Sequence, residues 1–159
     1  MKKILLIGII LTLIDQFIKL FLVSFMIYGE SIMVFKNFFS ITLVHNTGAA
    51  FSILSTSTFF LILVGIIALF LIYLFFIKDK EISKKDNVLY GMLIGGILGN
   101  LIDRIFKGYV IDYLDFNIFG YNFPVFNFAD ILITVSIFFI IIEIIRRDIN
   151  EVSSKWEWY

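Results

Sequence analysis

Cysteine is absent from all 159 residues. That excludes a disulfide, a thiolate nucleophile, a cysteine-based metal site and a lipid-modified cysteine on this chain. Histidine occurs once, as His45, and proline once, as Pro124. A lone interfacial histidine is more often structural than catalytic, so no metal or other cofactor is expected and only clustered aspartates offer an alternative route to one. The 13 Lys and Arg balance the 13 Asp and Glu, and zero net charge gives no reason to expect a nucleic acid partner. Internal repeats, low-complexity tracts and long linkers are lacking too, so residues 1–159 are expected to form a single domain.

What the chain does have is apolar surface. Hydrophobic residues make up 60% of it, against about 45–50% in soluble proteins. With a mean hydropathy of +1.00, this is a membrane protein. Apolar runs at 4–27, 59–77, 88–102 and 131–145 are each near the roughly 17–25 residues needed to cross a bilayer, the last two only with their flanks. None alternates as a transmembrane strand does, so the expectation is an all-α bundle with helices at about 4–27, 58–77, 87–104 and 129–147. The first run pairs basic residues with an apolar stretch, as a cleaved signal peptide does. No small-residue cleavage site follows it and it carries Asp15 and Lys19, so a retained helix is expected.

Four crossings put both termini on one side. Lys2, Lys3, Lys78, Lys80, Lys84, Lys85, Arg146, Arg147 and Lys155 lie with the termini and the 78–87 loop, whereas Lys36, Arg104 and Lys107 lie opposite. Nine against three predicts cytoplasmic termini. The longer segments, about 28–58 and 103–130, then face outward and are the expected place for function. β-branched and aromatic residues in "FFSITLVHNTGAAFSIL" lead into a turn at Asn46–Gly48, and "GYVIDYLDFNIFGYNFPVFNF" is rich in Tyr and Phe. A small β-rich platform on the outer leaflet is therefore expected above the helices.

Ionisable residues inside a bilayer cost roughly 2.5–3.5 kcal/mol each at a helix centre, so each calls for a reason. Asp15 and Lys19, four apart, are expected to pair, as a structural ion pair or in support of a substrate site. Glu143 and Arg147 repeat that spacing and are expected to pair at the cytoplasmic end. Gly91, Gly95 and Gly99, with Gly96 beside them, would let another helix approach closely. Asn100, Asp103 and Arg104 fall within one turn, with Asp103 and Arg104 read as an ion pair shaping the loop.

Asp112, Asp115 and Asp130 remain, the last three residues after Asn127. If the third helix ends near Arg104 and the fourth starts near Ala129, Asp112 and Asp130 sit at the ends of one excursion and could return to one spot. Two adjacent carboxylates resist double ionisation, so one would keep a proton while the other takes a proton from water. Spacing alone leaves an aspartyl hydrolase, a divalent-metal site and a solvated acidic loop all open. A Ser/Lys peptidase is disfavoured because Ser24, five residues from Lys19, is off its helical face, and the loosely spaced acids poorly suit a magnesium-dependent lipid transferase.

Four blocks in order, "DQFIK" (15–19), "HNTGAAF" (45–51), "GNLIDR" with "VIDYLDF" (99–116) and "FPVFNFAD" (123–130), resemble the bacterial lipoprotein signal peptidases. The resemblance implies four transmembrane helices with a small extracytoplasmic β-cradle and a lobe loop. It implies a membrane-embedded aspartyl endopeptidase that removes the signal peptide from diacylglyceryl-modified prolipoproteins, cutting before the lipidated cysteine. Asp112 and Asp130 match the family's catalytic pair; Asp15, Lys19, Asn46, Gly48, Asn100, Asp103, Arg104 and Asn127 match its substrate-binding or supporting residues. The expected partners are prolipoprotein substrates, membrane lipid and globomycin-type inhibitors. The expected setting is the bacterial cytoplasmic membrane, with the protein acting as a monomer and its active site on the outer side.

Overall fold

The computed structural model describes residues 1–48 and 58–156, with the side chains from 150 onward left out; Ala49–Phe51 of the second block lie outside the described residues. Helix α1 runs Lys2–Val23, α2 Thr58–Ile72 with a π-helical continuation at Tyr73–Ile77, α3 Lys84–Lys107 and α4 Phe128–Trp156. Strands β1 (Ser31–Phe35) and β2 (Phe39–Asn46) join α1 to α2, and β3 (Val110–Ile118) and β4 (Tyr121–Asn122) join α3 to α4. Among the described residues, four helices are long and apolar enough to cross a membrane, at Lys2–Val23, Thr58–Ile77, Lys84–Lys107 and Phe128–Ile149. At about 1.5 Å per residue, each reaches the thickness of a hydrocarbon core.

The bundle is apolar outside and partly polar within. Leu6, Leu13, Phe17 and Leu20 of α1 are exposed, whereas Gly8, Thr12, Asp15 and Lys19 are buried. That buried stripe recurs every three to four residues and meets α3. α3 is the central helix, and its glycines explain why. A Cβ on Gly95 would stand 2.9 Å from the Gly8 carbonyl oxygen of α1, and one on Gly96 only 2.6 Å from the Ala129 carbonyl oxygen of α4. One glycine face therefore admits α1 and the adjacent one α4, the close approach that small residues permit in membranes. α2 packs from the side, Ile72 and Ile77 joining Ile4, Tyr90, Leu93, Ile94 and Ile140 in the apolar core.

α3 is longer than its apolar run because both ends are signalled. Ser83 and Asp86 form a capping box at its start, and Gly108, at φ 82°, closes it in the left-handed conformation. The Glu143–Arg147 pair expected from spacing is replaced by contacts to other partners. Arg147 pairs with Asp86 at 2.7 Å, while Glu143 meets Lys85 and Arg146. Asp86 on α3 is 3% exposed, and among the described residues Arg147 is the cation that pairs with it, so the contact forms between helices and not along α4.

The sheet is antiparallel in the order β1-β2-β3-β4. It packs through Leu43, Ile111 and Tyr113 onto Leu22 in the last turn of α1 and Met26 just beyond it. Two features of it position the site. β2 pairs with β3 so that Val44 stands opposite Asp112, which puts Asn46, two residues on, across the same face. After β4 the chain returns beside β3, the Phe126 N–H donating to the Leu114 carbonyl (3.1 Å) and the Leu114 N–H to that of Phe126 (2.8 Å). α4 thus starts next to Asp112.

Candidate active site

The first turn of α4 exposes N–H groups that need acceptors, and three elements supply them. The Phe128 N–H donates to the Tyr113 hydroxyl (3.2 Å), the Ala129 N–H to Asp15 Oδ1 (3.1 Å) and the Asp130 N–H to Asn127 Oδ1 (3.0 Å). Asp130 Oδ2 in turn accepts from the Asn127 N–H at 3.1 Å, completing a reciprocal cap. Asp130 is therefore held at a helix N-terminus by the residue three before it.

Asp112 is 2% exposed and accepts two side-chain amides, Asn127 Nδ2 on Oδ1 at 2.6 Å and Asn46 Nδ2 on Oδ2 at 2.8 Å. Asn46 is itself fixed, its Oδ1 accepting the Gly48 N–H at 3.0 Å. Burial first, then the nearby charge of Asp130, pushes the Asp112 carboxyl up to about 7, against the pull of those two amides and of Lys19. Burial likewise holds the Tyr113 hydroxyl above the usual phenol range. Asp112 and Asp130 line one groove of about 760 Å³, whose other walls include Asn46, Gly48, Arg104, Phe123, Phe126, Ile131 and Val135.

Behind the carboxyls lies a fully buried charge network. Lys19 Nζ spends its three protons on Asp15 Oδ2 (2.8 Å), Asp103 Oδ2 (2.9 Å) and Asn100 Oδ1 (3.1 Å), and Asp15, Lys19 and Asp103 are each 0% exposed. Asp103 does not pair with Arg104 as read from their adjacency. Adjacent helical residues point about 100° apart, so Asp103 turns inward to Lys19, to Lys107 (2.7 Å) and to the Ile111 N–H (3.2 Å). Arg104 turns to the groove, where its Nη2 donates to the Gly48 carbonyl at 3.3 Å and its buried Nε–H has no acceptor among the described residues. Asn100 links the two regions, with Nδ2 donating to Asp130 Oδ1 at 2.7 Å and Oδ1 accepting from Asn127 Nδ2 at 3.0 Å.

The ten residues that the family resemblance assigns to the site all fall in this one region. Two further participants went unread. Gln16 donates to the Gly99 carbonyl (3.0 Å) and to Asp103 (3.3 Å), and Tyr113 holds the start of α4. Gln16 lies inside the "DQFIK" block, but nothing in its type or spacing marks it. Asp115 takes no part, accepting instead from the Thr42 hydroxyl at 2.7 Å. His45 lies between Tyr28 (4.6 Å) and Tyr109 (3.9 Å), and burial, then Lys107, lowers its pKa. A neutral stacked imidazole joining two loops to β2 fits a structural part.

Residues 7–146 match the family described as Signal peptidase (SPase) II. The chain is 42% identical over 147 residues to a lipoprotein signal peptidase of Staphylococcus aureus, with 92% of this chain and 90% of that protein covered. It is 40% identical over 142 residues to the lipoprotein signal peptidase of Staphylococcus haemolyticus, covering 89% and 90% respectively. A bacterial membrane enzyme solved in meso at 2.3 Å superposes with a TM-score of 0.85 at 38% identity, covering 94% of this chain and 92% of that one. A second, at 1.9 Å, does so with a TM-score of 0.80 at 39% identity, covering 91% and 93%.

Proposed function

Because this chain belongs to the signal peptidase II family, membrane aspartic endopeptidases that cleave signal peptides from prolipoproteins, we propose that Asp112 and Asp130 are its catalytic pair. The observation that carries this is their convergence on one groove, joined through Asn127, which donates its side-chain amide to one and its backbone N–H to the other. One carboxylate takes a proton from water as the water oxygen attacks the scissile carbonyl. The other, protonated, hydrogen-bonds the carbonyl oxygen and stabilises the charge growing there.

The remaining residues divide by what they touch. Arg104, Asn46 and Gly48 face the groove and are read as substrate-binding, the spare Nε–H of Arg104 offering a donor to a substrate carbonyl. Asp15, Lys19, Asn100, Asp103 and Asn127 support the pair from behind. The groove continues down α4 through Ile131 and Val135, so a diacylglyceryl cysteine keeps its acyl chains in lipid while the amide before it reaches the carboxyls. The four-stranded sheet corresponds to the family's β-cradle, and the lobe loop belongs with the outer segments. The protein is read as one domain of the bacterial cytoplasmic membrane, acting as a monomer, with both termini inside and the site outside. Globomycin-type inhibitors would occupy this groove.

The test is to incubate the purified protein with a synthetic prolipoprotein peptide, with and without the diacylglyceryl group. Cleavage confined to the lipidated peptide is expected. Asp112→Asn and Asp130→Asn should each lower turnover by at least about 10²-fold, with the double variant scarcely worse than either. A folded single variant that cleaves at near the parent rate would sink the aspartyl assignment.

A further inference from the structure

An aspartyl pair works with one proton, and either carboxyl could carry it. Three amides meet the two carboxyls here, and each is locked by a partner that can only donate. Lys19 Nζ has no acceptor, so Asn100 must present Oδ1 to it (3.1 Å) and turn its NH₂ to Asp130. Asn127 presents Oδ1 to the Asp130 N–H and Asn46 presents Oδ1 to the Gly48 N–H, so both turn their NH₂ groups to Asp112. The amide orientations, usually ambiguous, are thereby determined.

What stands behind the amides differs between the two acids. Asp112 meets neutral amides only, at 2% exposure. Asp130 is only half-buried, caps the N-terminus of α4 and accepts from an amide whose far end rests on an ammonium. A helix N-terminus and a cation both favour negative charge. We infer that Asp130 is the ionised member of the pair and Asp112 the protonated one, and that Lys19 fixes this as a positioning residue, acting through Asn100 without touching substrate. The upward push of burial on the Asp112 carboxyl described above agrees in direction. The other ionisable groups around the pair are Asp15 on α1, His45 on β2, Tyr113 on β3, and Asp103, Arg104 and Lys107 on α3. Asp15 and Asp103 are matched by Lys19 and Lys107, and Arg104 lines the groove with both acids, so these do not reverse the asymmetry.

The inference rests on the catalytic reading of the pair and gives each acid its step. Asp130 removes a proton from water while the water oxygen bonds to the carbonyl carbon, and Asp112 passes its proton to the carbonyl oxygen. The C–N bond then breaks as Asp130 returns its proton to the leaving nitrogen. Asp112 recovers a proton from the hydroxyl that becomes the new carbonyl.

The pH profile of kcat/KM on the lipidated peptide decides the matter. Asn100→Leu, which takes a donor from the ionised carboxylate, should cost about tenfold in kcat/KM on the acid side of the profile and leave the alkaline limb in place; Asn46→Leu, which takes one from Asp112, should raise the alkaline limb alone. The opposite pattern would reverse the assignment, and if one of these variants fails to fold the other still decides. Lys19→Met should act as Asn100→Leu does. Since it strands Asp15, the charge-balanced Asp15→Asn/Lys19→Met pair is measured alongside. An unchanged acid side of the profile in a folded Lys19 variant would reduce Lys19 to a structural role. None of these outcomes bears on whether the pair is catalytic, which the Asp112→Asn and Asp130→Asn turnovers test separately.

Discussion

Burying the Asp112 carboxyl costs the fold at neutral and alkaline pH. Its carboxyl is pushed up to about 7 from an unfolded value of 3.8, so between those values the native protein holds a proton that the unfolded chain has released. The unfolded state binds fewer protons there, so Asp112's contribution to stability falls as pH rises through that window and is flat above it. At about 1.36 kcal/mol per unit, the loss is at most about 4 kcal/mol. Asp112→Asn has no such ionisation. In thermal unfolding in detergent it should melt higher than the parent at pH 8 and lose that advantage near pH 4. The same proton should make kcat/KM fall above about pH 7, and a parent profile still flat at pH 9 would contradict it.

At the scale of elements, the site is assembled by helix ends and a strand register, and glycine sets their separation. Gly96 lies under the first turn of α4, where a Cβ would stand 2.6 Å from backbone that cannot swing aside. Gly96→Ala should therefore cost about 1–3 kcal/mol and, by displacing Asn127 and Asp130, lower turnover more than substrate affinity. Gly65→Ala is a fitting comparison, because its nearest neighbour is the movable end of Leu101 at 3.3 Å; its melting temperature and kcat should stay near the parent's. The glycine spacing was legible in the sequence because it repeats every four residues on one element. The partners of Asp103 and Arg147 were not. A charge near a helix end has candidates on its own helix by spacing and on other helices by packing, and packing decided both. The Asn127–Asp130 cap lay in plain view as two residues three apart, yet only the return of the chain beside β3 shows that it delivers Asp130 to Asp112.

For the whole molecule, span number and charge bias carry the topology. Nine basic residues gather at the termini and the 78–87 loop against three on the opposite side, so reporters fused at either end should report a cytoplasmic location and one inserted at the β3–β4 turn an external one. A reporter read outside at Tyr159 would overturn the orientation. The four crossings were legible because lipid demands long apolar runs, whereas the sheet was legible only as a β-rich region, since its register is set by pairing between distant segments. The buried network of Asp15, Lys19, Asp103 and Asn100 ties α1 to α3 while backing the acids that face the groove. For drug resistance this is confining. If Asp112 and Asp130 are the catalytic pair we propose, a compound gripping them and Asn127 would hold side chains that the cell could not exchange without losing the enzyme, so escape should arise in the apolar wall of the groove, at Phe123, Ile131 or Val135, where a change of shape leaves the polar lattice whole.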